Sequence, residues 1–481
     1  MNKIKVFFRA DGNSTIGLGH VYRSLALLQM LDDFFDCYFI IKDPSPEIST
    51  LISDKCKNLI VITSDLTLAA ETQLLIAEHL KPTDYLVVDG YEFDIAYKKE
   101  ILSSKIKLIC IDDLYADHGG ADLIINHGGG SAASKYPHYL NTQYCLGPKY
   151  ALLRPPFWQF AQNKNEEISN GEALFICFGG ADPENYTVNT LKLIGTDSTT
   201  KCHVVIGSAY QHKDVLDEFI RSSNLNIEIS NNLSAEDMVV LMSTCNTAIT
   251  SASTIAYEYL STGGLLYLKQ TADNQIHLYN YLIDNKLAFN VDEYPLIDDY
   301  KINESQIIQN NVFDGNQAKR LRNIFKSLIL DTREAREADA YLYHEWTNDK
   351  TTRAQSFVQN SIPLENHLKW FDQKLKTDST EMYVIELNNT PIGQVRFDLF
   401  DDYSIISYSL DKEYRGKGLG TAMLHRALVR YKLDHDQRHE IIGYVKKENI
   451  PSQKAFRLLE FKEQETDLYK DSYQYIYSHG V

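Results

Sequence analysis

Between residues 5 and 126, short apolar runs alternate with stretches long enough for a helix: KVFF, CYFII, LIVIT, YLVVD, KLICID and DLIIN. The runs are apolar almost throughout rather than at every second residue. Strands of that kind are covered on both faces, so the spacing predicts a parallel sheet with helices on either side. A polar stretch, QNKNEEISNGE (162–172), follows PPFW and reads as a linker. The pattern then restarts with EALFICFGGADPENYTVNTLKLI, a strand, a Gly-Gly loop and a helix, and continues through CHVVIG, NIEIS, TAITSAS and LLYLK. Two consecutive doubly wound units imply a cleft between them, with ligands bound at the carboxyl ends of the strands.

From about residue 331 the pattern changes. TREAREADAYLYHEWTNDKTTRAQSF reads as helical and charged, and MYVIELNNTPIGQVRFDLF as a hairpin turning at NNTP. YSIISYSL is a further strand, followed by RGKGLG, the amphipathic helix TAMLHRALVRYKL, the strand HEIIGYV, the helix PSQKAFRLLEF and aromatic-rich terminal strands. That order describes an α+β module. The expected domains are residues 1–160, 161–330 and 331–481.

Composition narrows the class. A chain of 481 residues is too long for one core. Its net charge of −17 argues against nucleic acid as a partner, because phosphate contacts need clustered Lys and Arg. The seven cysteines show no metal-ligand spacing and read as buried free thiols of a reducing cytoplasm. The apolar start is interrupted by Arg9 and Asp11 too early for a signal peptide, and no stretch is long enough to span a membrane. A cytoplasmic protein acting on small molecules is the expectation.

The first strand runs into RADGNSTIGLGHVYRS (9–24). A dinucleotide fingerprint fails here because Gly17 and Gly19 are followed by Tyr22 where glycine is required, and a P-loop fails because Leu18-Gly19 follow Gly17. What remains is a flexible loop that delivers His20 to the first turn of a helix. The helix dipole disfavours an imidazolium there, so the ring stays neutral, as a general base must. Arg9, Asp11 and Asn13 make the loop denser in polar groups than a plain turn needs. Asp89, Asp112, Asp113 and Asn126-His127 end other strands of the same unit; the paired aspartates have no further ligand pattern, and no metal is expected.

In the second unit, Gly179 and Gly180 of FGGAD leave a strand and open a helix, where amides receive a phosphate. Ser253 and Thr254 in SASTIAYEY do the same, and Glu258, about a turn later, is placed to accept ribose hydroxyls. ADNQ (272–275) adds Asn274 and Gln275 beside that cleft.

Together the RADGN-x-x-I-G-x-G-H-x-x-R pattern, CIDD, YALLRPPF (150–157), FGGADPEN and S-x-ST-x-x-YE…ADNQ resemble the UDP-sugar hydrolases of pseudaminic acid biosynthesis. The resemblance spans roughly residues 1–330. It implies two Rossmann-like domains in the GT-B arrangement of MurG-type glycosyltransferases, and hydrolysis of UDP-2,4-diacetamido-2,4,6-trideoxy-β-L-altropyranose. The family's base for the attacking water falls on His20, its nucleotide-binding acid on Glu258, and its Asn-Gln pair on Asn274 and Gln275. Arg9, Asp11, Gly12, Asn13, Gly17, Gly19 and Arg23 belong to the motif and are assigned to the substrate site. STGGLLYL (261–268) departs from the family's Gly-Leu-Pro run, and NHGGGSAAS (126–134) departs around the sugar pocket.

RGKGLG, in turn, with VKKENIPSQKAFRLLEF (445–461) and a Tyr-bearing strand, is similar to the GNAT N-acetyltransferases. The similarity covers about residues 331–481 and implies an α+β GNAT domain with acetyl-CoA as co-substrate. Arg415, Gly416, Lys417, Gly418, Leu419 and Gly420 would bind its pyrophosphate, Leu410 with the preceding strand its pantetheine, and Asn449 matches the family's asparagine. Tyr469 is the assigned acid for the departing thiolate, with Tyr473, Tyr475 and Tyr477 as competitors. His367 and Asp349 are the alternatives for the base. The fusion implies a bifunctional enzyme that acetylates the 4-amino group of a UDP-amino sugar and then removes UDP. A glycosyltransferase fused to an acetyltransferase, or a non-catalytic UDP-sugar-binding scaffold, are the alternatives.

Overall fold

The computed structural model describes residues 3–13, 17–139, 141–164, 173–195, 200–435 and 440–478. The chain divides into two compact units, Met1–Ala318 and Lys319–Val481.

Unit one contains two parallel sheets. The first comprises β1 (Lys5–Ala10), β2 (Asp36–Lys42), β3 (Asn58–Ile62), β4 (Tyr85–Asp89), β5 (Lys107–Ile111), β6 (Leu123–Asn126) and β7 (Gln143–Leu146), in the order 3-2-1-4-5-6-7. The second comprises β8 (Leu174–Cys177), β9 (Lys201–Ile206), β10 (Asn226–Asn231), β11 (Thr247–Ser251), β12 (Leu265–Lys269) and β13 (Phe289–Asn290), in the order 10-9-8-11-12-13. Both are Rossmann-like, each with its strand order reversing beside its first strand. All five residues of β4 are buried, which is why YLVVD carries no polar alternation. Phe7, Ile40, Leu86, Leu108 and Ile124 pack one core, and Leu174, Ile176, Val204, Ile249 and Tyr267 the other. The helix Pro155–Asn163 continues through the first residues of the expected linker, whose remainder, 165–172, lies outside the described residues.

Unit two is a mixed sheet of β14 (Leu330–Glu334), β15 (Thr380–Leu387), β16 (Thr390–Leu399), β17 (Tyr403–Leu410), β18 (Glu440–Lys446), β19 (Lys462–Glu465) and β20 (Ser472–Tyr477), in the order 14-15-16-17-18-20-19. Asn388 and Asn389 form the β15–β16 turn with φ of 51° and 60°, the left-handed pair that a type I′ turn requires. The start of the TREAREAD segment, expected as helix, is the edge strand β14 instead. Its register against β15 runs from Leu330↔Leu387 to Glu334↔Tyr383. An edge strand needs little apolar alternation and is often charged, so its composition imitates an exposed helix.

The pairing of β17 with β18 positions the unit's chemistry. They are parallel, yet pair only at Tyr403↔Glu440, Ser404↔Ile441 and Ile405↔Ile442. Beyond Ile405 the strands diverge, and the β18-facing edge of Ile406–Leu410 carries no ladder.

Candidate active sites

The loop after β1 is anchored from below. Arg9 is fully buried; its Nε donates to Glu71 Oε1 at 2.7 Å, and its Nη1 and Nη2 donate to the two Asp11 carboxylate oxygens at 2.5 and 2.8 Å. Asp11 in turn accepts the Lys42 amide at 2.9 Å, tying the loop to the end of β2. Arg9, assigned to the substrate site, thus spends its guanidinium on Glu71 and Asp11 beneath the loop and is not among the residues that line the cleft described below. A Cβ on Gly12 would come within 2.7 Å of Val21 Cγ2, so this glycine lets the loop lie against the helix that follows. Asn13 is exposed, and its carbonyl accepts the Gly17 amide at 2.9 Å, closing the loop.

The helix Gly19–Leu31 then begins, with His20 in its first turn. His20 Nδ1 lies 2.7 Å from Asp89 Oδ1, at the end of β4. Nδ1 also lies 3.1 Å from Arg23 Nη2, which can only donate, so the two neighbours favour opposite tautomers. The shorter contact, to a carboxylate that can only accept, favours hydrogen on Nδ1 and a free lone pair on Nε2. Arg23 fixes the same carboxylate with Nε to Oδ2 and Nη2 to Oδ1, both at 2.6 Å, and reaches Asp113 at 2.8 Å. Burial opposes the Arg23 charge, but Asp89 and Asp113 outweigh it and hold its pKa above the usual value. The Tyr91 ring stands edge-on to His20 at 4.8 Å. Because β1 and β4 are the neighbours at which the strand order reverses, this constellation occupies the crevice where open α/β sheets bind ligands.

A cleft of about 770 Å³ brings these residues together with the second Rossmann-like domain. Gly19, His20, Arg23 and Tyr91 line it, as do Ser253, Thr254, Tyr257, Glu258 and Gln275. Among the described residues, none beyond the glycine's own chain neighbours and helix backbone comes within 4 Å of where a Cβ on Gly19 would stand, so the backbone is open to a close ligand there. Ser253 precedes the helix Thr254–Thr262, whose first amides face outward without a side-chain cap. Glu258 is 3% exposed rather than solvated, and its two oxygens accept from Arg154 Nε at 2.7 Å and Nη2 at 2.9 Å. Burial pushes the Glu258 carboxyl up, with Arg154 pulling part of the way back. Each oxygen of the pair keeps a second acceptor position for a ligand hydroxyl. Gln275 Oε1 accepts the Thr271 amide at 2.9 Å; the side chain of Asn274 lies outside the described residues. Gly179 and Gly180 are exposed at the end of β8 and do not line the cleft. A Cβ on the neighbouring Gly207 would sit 2.5 Å from Gly180 Cα, so the two loops press against each other.

Sequence reasoning alone misses Arg154 and Tyr257 as site residues. Arg154 stands in the RPPF segment, and an arginine before a helix that follows the last strand of one sheet is the available signal. Tyr257 donates to the His127 carbonyl at 2.8 Å, joining the NHGGGS loop to the Thr254–Thr262 helix. That loop is fixed through Asn126, which donates to Tyr136 Oη at 2.8 Å and accepts from Gly128 N and Ser131 Oγ. Tyr136 donates onward to Asp112 at 2.7 Å. The paired aspartates are thus separately committed, Asp112 to Tyr136 and Asp113 to Arg23 and Tyr91.

In unit two, Gly416 and Gly418 have φ of 73° and 70°, and the helix Leu419–Asp434 begins beyond them. Among the described residues beyond its chain neighbours, none comes within 4 Å of a Cβ position on Gly416, and at Gly420 Leu410 Cδ2 stands 3.9 Å away, so the amides of the loop are open to an anion. Leu419 is buried, while Lys417 is exposed with its ammonium 5.2 Å from the Tyr414 ring. Arg415 is held by three partners outside the glycine loop. Its Nε donates to the Leu410 carbonyl, Nη1 to Asp349 at 2.6 Å and Nη2 to Thr352 Oγ1. The same Asp349 caps the helix Lys350–Gln355, which leaves it committed as an ion pair and cap rather than free to act as a base. Asn449 caps the helix Ile450–Leu458 by accepting the Ser452 amide.

Tyr469 stacks on Phe357 with ring centroids 3.9 Å apart and stands edge-on to Tyr444 of β18. Among its competitors, Tyr475 is buried and donates to Glu463, while Tyr477 is bonded to Lys432. A pocket of about 480 Å³ lies against Ser407, Tyr408 and Ser409 of β17, with His367, Trp370, Gln394 and Arg396 around it. His367 is buried, and its Nε2 meets the Ala340 carbonyl at 2.9 Å, which leaves Nδ1 as the acceptor of a neutral ring.

All seven cysteines are free and buried. Burial pushes the Cys110, Cys177, Cys202 and Cys245 thiols up to between about 11 and about 12, so none of these four is a ready nucleophile. Among the described residues, no helix is long and apolar enough to cross a membrane.

Residues 328–462 match the family model of the acetyltransferase (GNAT) domain. Among curated proteins, the chain is 27% identical over 266 residues to the UDP-2,4-diacetamido-2,4,6-trideoxy-beta-L-altropyranose hydrolase of Campylobacter jejuni, covering 53% of this chain and 88% of that protein. It is 28% identical over 272 residues to the uncharacterized protein MJ1062 of Methanocaldococcus jannaschii, covering 54% of each, so this chain spans about half the length of that relative. Among solved structures, the spermidine N-acetyltransferase of Vibrio cholerae aligns at 17% identity and a TM-score of 0.29, covering 32% of this chain and 96% of that one. The chain thus combines a stretch related to that hydrolase with a C-terminal GNAT acetyltransferase domain.

Proposed function

We propose that the chain is a bifunctional nucleotide-sugar enzyme of pseudaminic acid biosynthesis, working on small molecules in the cytoplasm. Its first activity hydrolyses UDP-2,4-diacetamido-2,4,6-trideoxy-β-L-altropyranose to the free sugar and UDP. Its second transfers acetyl from acetyl-CoA to the 4-amino group of the UDP-amino sugar precursor. In this reading the Rossmann-like domains are residues 1–160 and 161–330, and the acetyltransferase is 331–481.

The observation that carries the first activity is His20, backed by the buried Asp89 and lining the same cleft as Ser253, Thr254 and Glu258. Asp89 holds Nδ1–H, and Nε2 takes a proton from water as its oxygen attacks the anomeric carbon. The bond from that carbon to the diphosphate oxygen breaks, and UDP leaves with the electron pair. The open amides before the Thr254–Thr262 helix receive the diphosphate, and Glu258, held by Arg154, accepts ribose hydroxyls with its remaining lone pairs. Asp89, Arg23 and Asp11 position the base and its loop.

For the second activity, the Gly416–Gly420 loop takes the coenzyme A pyrophosphate, and the unpaired edge of Ile406–Leu410 takes pantetheine as an added strand would be taken. The amine attacks the thioester carbonyl and gives up a proton to solvent, the carbon–sulfur bond breaks, and Tyr469 protonates the departing thiolate.

Purified protein supplied with a UDP-4-amino sugar and acetyl-CoA should yield the N-acetylated UDP-sugar, then free UDP and sugar, identified by mass spectrometry and NMR. His20→Ala should abolish UDP release and spare acetylation; Gly418→Asp, which forces a carboxylate into a left-handed position of the anion loop, should do the reverse. UDP release that requires a second sugar or lipid would make the first unit a transferase, and UDP binding without turnover would make it a scaffold.

A further inference from the structure

His127 follows the end of β6, in one of the two segments where the sequence departs from the hydrolases it resembles, and the chemistry above leaves it unused. Its ring lines the cleft together with His20 and Glu258. Nδ1 accepts the backbone N–H of Leu152 at 3.1 Å, so the lone pair of the neutral ring is spent there and the hydrogen resides on Nε2. The ring is further fixed edge-on to Tyr257 at 5.9 Å, and the His127 carbonyl accepts the Tyr257 hydroxyl. Burial, then the neighbouring Arg23 charge, pushes the imidazole down to about 4, with Asp113 and Asp89 only partly opposing them. The ring is therefore uncharged at neutral pH.

Tyr257 lies in the first turn of the Thr254–Thr262 helix, and His127 lines the same cleft as Ser253 and Thr254 at that helix start. Its backbone anchors and its Nδ1 bond fix the ring from one side, and no described residue is bonded to Nε2. A neutral donor fixed in this way gains from hydrogen bonding to an anion without adding a second cation beside Arg23.

We propose that His127 touches the substrate, its Nε2–H donating to a β-phosphate oxygen of the nucleoside diphosphate and stabilising it as the leaving group. This assignment rests on the nucleotide-sugar reading of the cleft. It differs from the role of His20, which takes a proton; His127 exchanges none and stabilises charge that grows as the anomeric carbon–oxygen bond breaks.

Two isosteres separate the donor from the anchor. His127→Asn places its amide oxygen where Nδ1 was, so it still accepts from Leu152 N–H, but it has nothing at the Nε2 position. His127→Gln carries an amide N–H out to the Nε2 position. Binding of UDP to the full-length protein is measured by calorimetry, and UDP release from the UDP-sugar by steady-state kinetics. Thermal melts confirm that each variant is folded. The Asn variant should bind UDP about tenfold more weakly or worse and release it more slowly, and the Gln variant should regain most of both. An Asn variant that binds UDP and turns over like the parent overturns the assignment and leaves His127 an anchor alone; equal defects in the two variants overturn it too, since an N–H at the Nε2 position would then restore nothing. Absence of UDP binding by the parent protein would instead overturn the nucleotide-sugar reading, and the role of His127 with it.

Discussion

His20 Nδ1 and Asp89 Oδ1 are 2.7 Å apart although 69 residues separate them in the chain, one at the start of a helix and the other at the end of a buried strand. The carboxylate decides which nitrogen of the imidazole keeps its lone pair. Asp89→Asn offers an amide that can present N–H as readily as C=O, and it removes the charge that would stabilise the imidazolium. We expect UDP release to fall by about a hundredfold or more in kcat, with a smaller change in KM. Single-turnover kinetics with circular dichroism as a folding control would check this; a parent-like kcat would show that His20 needs no orienting acid. Arg23 also loses its principal partner in this variant, so Asp89→Glu, which keeps the charge, separates the two effects.

The Arg154–Glu258 pair makes a prediction about stability. Glu258 is almost fully buried, and both of its carboxylate oxygens accept from the nitrogens of one guanidinium. Arg154→Ala strands that carboxylate, and removing one partner of a buried pair costs about 3–5 kcal/mol. The pH dependence has a definite sign. Burial already raises the Glu258 pKa, and losing Arg154 raises it further, so ionising the folded variant is what costs stability. The deficit should be full at neutral pH and shrink as pH falls through the raised carboxyl pKa. Urea unfolding of parent and variant across that range measures it, and a deficit independent of pH would refute the account.

Much of the architecture is legible in the sequence because local chemistry writes it. YLVVD and LFIC have no polar alternation because both faces of their strands are covered, and the runs recur at helix-length spacing. His20 is placed at a helix start by its position after Gly19. Its pairing with Asp89 is not legible, nor is that of Arg154 with Glu258, because each joins segments whose distance in sequence says nothing of their distance in space. Arg9 shows the converse. An arginine in a polar loop looks available to a ligand, and only the return of Glu71 from another helix reveals that its charge is consumed. Arg415 is similar: adjacent to the anion loop in sequence, it is drawn off by Asp349, 66 residues away. The edge strand β14 is mistaken for helix because its charges obey exposure, which edge strands and helices share.

Asp112 predicts an acid-sensitive contribution to stability. Burial works to raise its pKa, but bonds from His118 and Tyr136 and from the Tyr115 amide outweigh it and hold the carboxyl at about 2. A depressed carboxyl contributes stability that is present above its unfolded value, about 4, and is lost as pH falls through about 2. The size is about 2 kcal/mol. Asp112→Asn should therefore be less stable than the parent at neutral pH, and the gap should close between about pH 4 and about pH 2. Chemical denaturation at fixed pH values reads this directly.

Tyr469 is testable without disturbing its packing, because its ring and its hydroxyl do different things. The ring stacks on Phe357 and meets Tyr444, contacts that phenylalanine reproduces. If the hydroxyl supplies the proton to the coenzyme A thiolate, Tyr469→Phe should lower kcat for acetyl transfer by about ten- to a hundredfold, leaving the KM for acetyl-CoA and the melting temperature close to the parent's. Free thiol released from acetyl-CoA gives the rate. UDP release from a diacetamido substrate, measured on the same preparation, should be unchanged because the two activities use separate groups. Parent-like acetyl transfer would exclude Tyr469 and direct attention to Tyr473, since Tyr475 and Tyr477 already have partners for their hydroxyls in Glu463 and Lys432.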